Sequence, residues 1–433
     1  MDDLTKALLE TTKDLPRTIL RKTILRKVRE SKVPLPDEMV EPLLNHILTG
    51  SSDSFVWHSA IEGDDVNVKL NFTDEDIREI EELVAKAIKA IPEAVNGGLT
   101  AAADMFFKTL CKRWEDEHLM QRYEIADFQE GLEQRWGRGL MLLRMLLTSC
   151  RELGQDTFTR HAKSKSTRYR FRRWVMLRLH TRACQVMDEI ICLLENGFAD
   201  GAMARWRTLY ELSVVAILIA EGDEILAERY MLHDTVEVKR QADVFHEQQA
   251  ALGLPGITRG MRAEIDREHA QALARFGSEF AHPYGWAAQH LKRKKPTFKD
   301  LQEEADRAAM STHYKLASFN VHASARSLFF NLSSIGPQMI LIAGRSNAGL
   351  DEAGSRAAHT IVLITSLYVQ RSANVISIFK AKILLKLRDE AVKAFERAQR
   401  KLSREVLQMS RADKPKAARK DRESRKASTS RRI

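Results

Sequence analysis

Apolar residues recur at helical spacing through most of this 433-residue chain, and the segments they mark are long. The pattern predicts a helix over residues 1–30, bent at Pro16, and a shorter one over Asp37–Leu48 after Pro34 and Pro36. Gly50–Asn71 is polar. At its end Val66, Val68, Leu70 and Phe72 alternate with polar residues, which predicts one extended piece over Val66–Phe72. Thr73, followed by Asp74, Glu75 and Asp76, reads as a helix N-cap with an acidic first turn. Helices are then expected over 74–92, 99–152, 165–195, 198–220, 222–251, 259–276, 299–333, 351–378 and 380–408. Gly97–Gly98, Gly253, Gly256, Gly344 and Gly349 serve as punctuation. No internal repeat is visible.

The expected fold is all-α, a multi-helix bundle with room for two helical subdomains. The expected organisation is an N-terminal helical region over 1–160, a helical domain over 161–380, a C-terminal helix over 381–410 and a disordered basic tail over 411–433. Composition agrees: 44% apolar, 30% charged, ten prolines and twenty glycines describe a globular chain that favours helix.

The net charge of +10 is unevenly placed. Residues Arg411 to Ile433 hold ten Lys/Arg against Asp413, Asp421 and Glu423, a net +7, so the remaining body is near +3. The four cysteines, Cys111, Cys150, Cys184 and Cys192, form no CxxC, and His180 with Cys184 supplies only two ligands. They read as reduced, buried thiols, with no metal site and no cofactor. The acidic, amphipathic start does not suit a signal peptide. The apolar runs Leu212–Ala220 and Ile361–Val369 fall well short of the ~18 residues of a membrane span. A cytoplasmic protein with no membrane contact is expected.

MILIAGRSNAGLDE, Met339 to Glu352, has the outline of a strand entering a phosphate-binding loop. A P-loop needs a lysine and a hydroxyl after its last glycine. Here Leu350 and Asp351 follow Gly349, so a turn into a helix starting near Asp351 is expected instead.

Three stretches carry candidate chemistry. In Gly197–Glu221, Arg207 and Glu211 sit four residues apart within an apolar stripe of Met203, Val214 and Leu218. In His313–Phe330, Tyr314, Ser318, His322 and Arg326 recur every four residues and predict one polar stripe on a helix. That stripe is expected to face Arg207 and Glu211 across a helix pair. In Arg160–Arg182, nine Lys/Arg are interleaved with Tyr169, Phe171 and Trp174. Arg168, Arg170, Arg172, Arg173 and Trp174 are the candidate contacts to RNA or single-stranded DNA. The C-terminal tail and Lys292–Lys295 add phosphate contacts without base specificity.

GAMARWRTLYEL (Gly201–Leu212), the stretch from Tyr284 to Ser324, and GRSNAGLDEAG (Gly344–Gly354) resemble a bacterial helical family of unknown function, DUF5677, over roughly 180–380. The resemblance implies an all-helical domain and no particular reaction. It places a shared site on Arg207, Glu211, Tyr314, Ser318 and His322, with Asn347 and Gly349. More loosely the chain resembles HEPN ribonucleases, helical bundles that cleave RNA with an R-x4–6-H pair. At His322 the arginine positions hold Lys315, Leu316 and Ala317, and Arg275/His282 is the best such pair. Two functions follow, the first being the expected one and the second its alternative. One is an interaction or regulatory module in stress or phage defence, with a protein partner or a second copy. The other is a metal-independent nuclease or hydrolase using His322 or His282 with Arg207 and Glu211.

Overall fold

The computed structural model describes residues 14–31, 36–50, 54–56, 69–164, 167–307, 310–319, 321–322, 325–328, 332, 342–370 and 374–429. They are helical, with no strand among them. Of the expected extended piece, residues 66–68 lie outside the described set, and Lys69–Phe72 has no regular structure. No described helix is long and apolar enough to cross a membrane. The chain divides into two compact units, 1–121 and 122–433.

In the first unit, α1 (Leu15–Glu30) and α2 (Val40–Thr49) bury Ile24, Val28, Val40, Leu43 and Leu44, with Leu70 and Phe72 packed on them. Pro16 stands in the first turn of α1, where its missing N–H costs nothing; the part of the expected helix before Asp14, and with it the expected bend, lies outside the described residues. α3 (Asp74–Lys163) begins as the sequence indicates: Thr73 Oγ1 accepts from Asp76 N, and Asp76 Oδ2 accepts from Thr73 N at 2.8 Å. Lys27 holds the same carboxylate at 2.7 Å. The break expected at Gly97–Gly98 is absent, and α3 runs through both glycines.

The second unit is built on α4 (Arg170–Glu195), α5 (Ala199–Glu221) and α11 (Leu350–Gln370), which pack on one another, with α12 (Val375–Thr429) against α11. Between them lie α6 (Glu224–Leu232), α7 (Asp234–Gln248), α8 (Arg259–Phe276), α9 (Phe298–Glu304) and α10 (Ser311–Phe319). Trp136, Trp206, Tyr210, Phe280 and Phe395 are its largest fully buried side chains. The α4–α5 corner closes on Gly197, φ +74°, with Phe198 N bonding Leu193 O at 2.9 Å. A Cβ there would meet Phe128 and the carbonyl of Ser346.

The helix expected over 299–333 is divided. α9 ends at Glu304, Asp306 takes φ +49°, and α10 ends at Phe319. Tertiary bonds select this break: Tyr210 Oη donates to Arg307 O and accepts from Gln302, both at 2.9 Å.

Arg229 on α6 is 3% exposed. It donates to Trp286 O and Gly285 O at 2.9 Å and to Phe276 O at 3.3 Å, and its guanidinium lies over Phe276 and Phe280. It thereby fixes the irregular segment 276–286 against α6. Burial pushes its pKa down, with Glu279 opposing.

Cys150 and Cys184 are buried as expected, but Cys111 and Cys192 are exposed. His180 is buried between Thr365 Oγ1, 3.2 Å from Nε2, and the Tyr368 ring, stacked at 5.0 Å. Burial lowers its pKa to about 4 and raises the Cys150 and Cys184 thiols to about 12 and about 11. The unfolded chain therefore binds a proton that the folded one refuses between pH ~6.5 and ~4. The stability due to a neutral His180 is complete above pH ~6.5 and is lost as pH falls, by about 2–3 kcal/mol at pH ~4.5. Urea unfolding at pH 7 and pH 4.5 of wild type and His180→Gln checks this. The variant should show the smaller difference between the two pH values.

Candidate functional site

α5 turns Trp206, Leu209, Tyr210, Ser213 and Val214 into the core. Arg207 and Glu211 fall on its flank, with side chains 22% and 40% exposed. Facing them is α10, seated by buried Ala317 and by Tyr314, whose ring packs against Tyr210 and Phe298 at centroid distances of 5.5 and 5.1 Å.

Four of the expected side chains meet. Arg207 Nε donates to Glu211 Oε1 at 3.1 Å and Nη2 to Tyr314 Oη at 2.9 Å, and Nη1 lies 3.2 Å from His322 Nε2. Tyr314 Oη donates to the same Glu211 oxygen at 2.7 Å, and the guanidinium lies 4.7 Å from the Tyr314 ring centroid. Arginine offers no acceptor, so His322 Nε2 accepts in this contact. Burial, then the Glu211 carboxylate, holds the Tyr314 phenol protonated well above the usual tyrosine range. Tyr314 is thus a fixed donor. Glu211 Oε2 accepts no hydrogen bond among the described residues. Tyr284 borders the cluster: burial first, and then the charge of Glu211, raises its pKa.

The route by which these residues meet differs from the expected stripe. α10 stops at Phe319, where the amides of Val321 and His322 both bond Ser318 O at 3.1 Å. His322 reaches Arg207 from this turn and is exposed. Ser318 Oγ bonds Tyr314 O at 2.8 Å, within its own helix, and stands outside the cluster. Arg326 lies on a separate 3-10 turn, Ala325–Leu328. His282 contributes its carbonyl, which accepts from His233 Nε2 at 2.9 Å, while Arg275 pairs with Glu228 at 2.8 Å.

The sequence reading missed a second cluster on α10, next to the first. His313, next to Tyr314, lies 2.6 Å from Arg356 Nη2 and 3.3 Å from Glu352 Oε1, and Arg356 bonds Glu352 at 2.6 Å. Arg356 also lies over Trp206, the neighbour of Arg207. The available signal was the i,i+4 spacing of Glu352 and Arg356. α10 is therefore held through two adjacent residues by two Arg–Glu pairs, one on α5 and one on α11.

Asn347 and Gly349 serve the loop. Asn347 Oδ1 accepts from Trp136 Nε1 at 2.8 Å, and Gly349, φ +73°, passes so close to Leu332 that a Cβ would lie 2.2 Å from its carbonyl oxygen. Of the basic candidates, Arg172 is buried and donates Nη2 to Gly222 O. Arg173 Nε bonds Tyr169 O at 3.3 Å, and Arg168 lies over the Tyr169 ring. Arg170 and Trp174 are exposed, and Arg178 stacks 3.8 Å from the Trp174 centroid. Arg293 pairs with Asp300. Among the described residues no group of three His, Cys, Asp or Glu converges as metal ligands.

No curated protein and no solved structure matches this chain. Nothing in the comparisons supports the likeness to HEPN ribonucleases. The matched segment ends before the loop of Asn347 and Gly349 but contains Arg207, Glu211, Tyr314 and His322: residues 173–337 match a family of unknown function, DUF5677.

Proposed function

We propose that the Arg207–Glu211–Tyr314–His322 cluster is an acid–base centre acting on phosphodiester bonds of single-stranded RNA without a metal. The observation that carries this reading is the contact of an exposed imidazole with a half-buried arginine that two further side chains hold in place. Substrate phosphate takes over the Arg207 Nη1 donor, which frees the His322 Nε2 lone pair to take the proton of a ribose 2′-hydroxyl, and the 2′-oxygen attacks phosphorus. Water on the opposite side of phosphorus protonates the departing 5′-oxygen, and the imidazolium gives its proton back to solvent. Arg207 stabilises the charge on the pentacoordinate phosphorus, and Glu211 and Tyr314 fix the plane of its guanidinium. The products are a 2′,3′-cyclic phosphate and a free 5′-hydroxyl.

The test is incubation of end-labelled single-stranded RNA with purified protein in excess chelator. Fragments ending in cyclic phosphate are expected, and an all-deoxy strand should stay intact. Cleavage that vanishes with chelator would remove the mechanism.

A second reading, an interaction module, is favoured by an apolar face on α3. Leu99, Phe106, Phe107, Leu110 and Trp114 are each more than half exposed there. RNA left intact with and without metal would favour this second reading.

A further inference from the structure

The α4 surface carries a feature that neither the core nor the cluster uses. Arg170, Trp174, Arg178 and Arg182 recur every four residues and all four are exposed. An acid four residues from a base stabilises a helix, and like charges at that spacing repel. Here the positions four before and four after Trp174 are both arginine, and the next step is a third.

The nearby acids are engaged elsewhere. Asp188 pairs with Arg144 and Arg151, and Glu189 with Arg205 and Arg182. Glu224 accepts from the Phe171 amide at the start of α4. Among the described residues Arg170 and Arg178 have no carboxylate partner. One face of Trp174 lies under the Arg178 guanidinium, and 42% of the residue is still exposed.

We propose that the Arg170–Trp174–Arg178 face of α4 binds single-stranded nucleic acid, with a base stacked on Trp174 and phosphates at the two flanking arginines. Eight helical residues place those arginines about 12 Å apart along the axis, on either side of the ring. An acidic peptide would satisfy the charges but would leave the indole unused. Every base has a face to stack on it, and Arg178 behind the ring adds a cation–π layer. The bound strand replaces the missing carboxylates and relieves the repulsion between the arginines. This goes beyond the reading of the cluster and does not depend on it. Binding is read apart from cleavage, so either can fail while the other stands.

The experiment is fluorescence anisotropy of a labelled single-stranded oligodeoxynucleotide, which has no 2′-hydroxyl to cleave, titrated with the full chain across a range of salt. Wild type should bind, and binding should weaken as salt rises. Arg170→Gln/Arg178→Gln should bind about tenfold more weakly, with the salt slope reduced by about 1.4, two phosphate contacts at ~0.7 each. Trp174→Leu should weaken binding about fivefold or more with an unchanged slope, the signature of stacking rather than charge. All three positions are exposed, so melting curves matching wild type are the fold control. The proposal is overturned by absence of wild-type binding up to ~100 μM at low salt, or by variants that bind as wild type does. Heparin bound with equal affinity and lost equally in Trp174→Leu would overturn it too, since that polymer has no bases to stack.

Discussion

Replacing His322 with alanine is expected to lower metal-free RNA cleavage about a hundredfold to ten-thousandfold, the range for loss of a general acid–base group. His322 is exposed, lies beyond the last turn of α10 and makes its side-chain contact with Arg207 alone among the cluster members. Its loss therefore leaves the Glu211–Tyr314–Arg207 bonds standing and should leave the melting curve unchanged. The loss should appear in kcat rather than KM, because the proton is moved in the chemical step. Rates are read by gel from end-labelled RNA at several substrate concentrations. A variant that retains more than about a third of wild-type kcat would assign the proton transfer to another group.

Arg229→Ala is expected to destabilise the second unit by about 3–5 kcal/mol. The guanidinium satisfies carbonyls of Trp286, Gly285 and Phe276 in a site with almost no solvent access. Each buried carbonyl left unpaired costs about 1–3 kcal/mol, and the cavity allows water to restore part of that. Lysine offers one ammonium where a planar fork is required, so Arg229→Lys should recover less than half of the loss. Urea unfolding followed by circular dichroism measures both variants. A loss below about 1 kcal/mol for the alanine variant would show that segment 276–286 is held by other contacts. Because that segment carries Tyr284 to the edge of the cluster, the alanine variant should also slow cleavage.

Helical periodicity was enough to read the fold class, since a helix announces its buried face every three or four residues. The Thr73 cap and a helix start near Asp351, observed one residue earlier at Leu350, were legible from local chemistry alone. The break between α9 and α10 was not: no proline or glycine marks it, and the chain turns where Tyr210 and Gln302 bond its backbone and side chains. The reverse error occurred at Gly97–Gly98, where a strong local signal loses to a continuous helix. At the cluster, the facing of Arg207 and Glu211 by Tyr314 and His322 was readable from the four-residue spacing. The turn that delivers His322 was not, because Ser318 ends the helix through its carbonyl. Arg172 could have been set aside earlier. It leads a run with Val175, Met176 and Leu179 at helical spacing, and those residues face the core.

α10 has nine residues, too few to persist as a helix in water by itself. Buried Ala317 and the Tyr314 ring seat it, and two arginines hold it through the adjacent residues His313 and Tyr314. The opening free energy of this short segment is then a local quantity, separate from that of the bundle. The geometry of the cluster is then expected to loosen while every long helix stays folded, and substitutions at Glu352 or Arg356 are expected to reach it through His313, the neighbour of Tyr314.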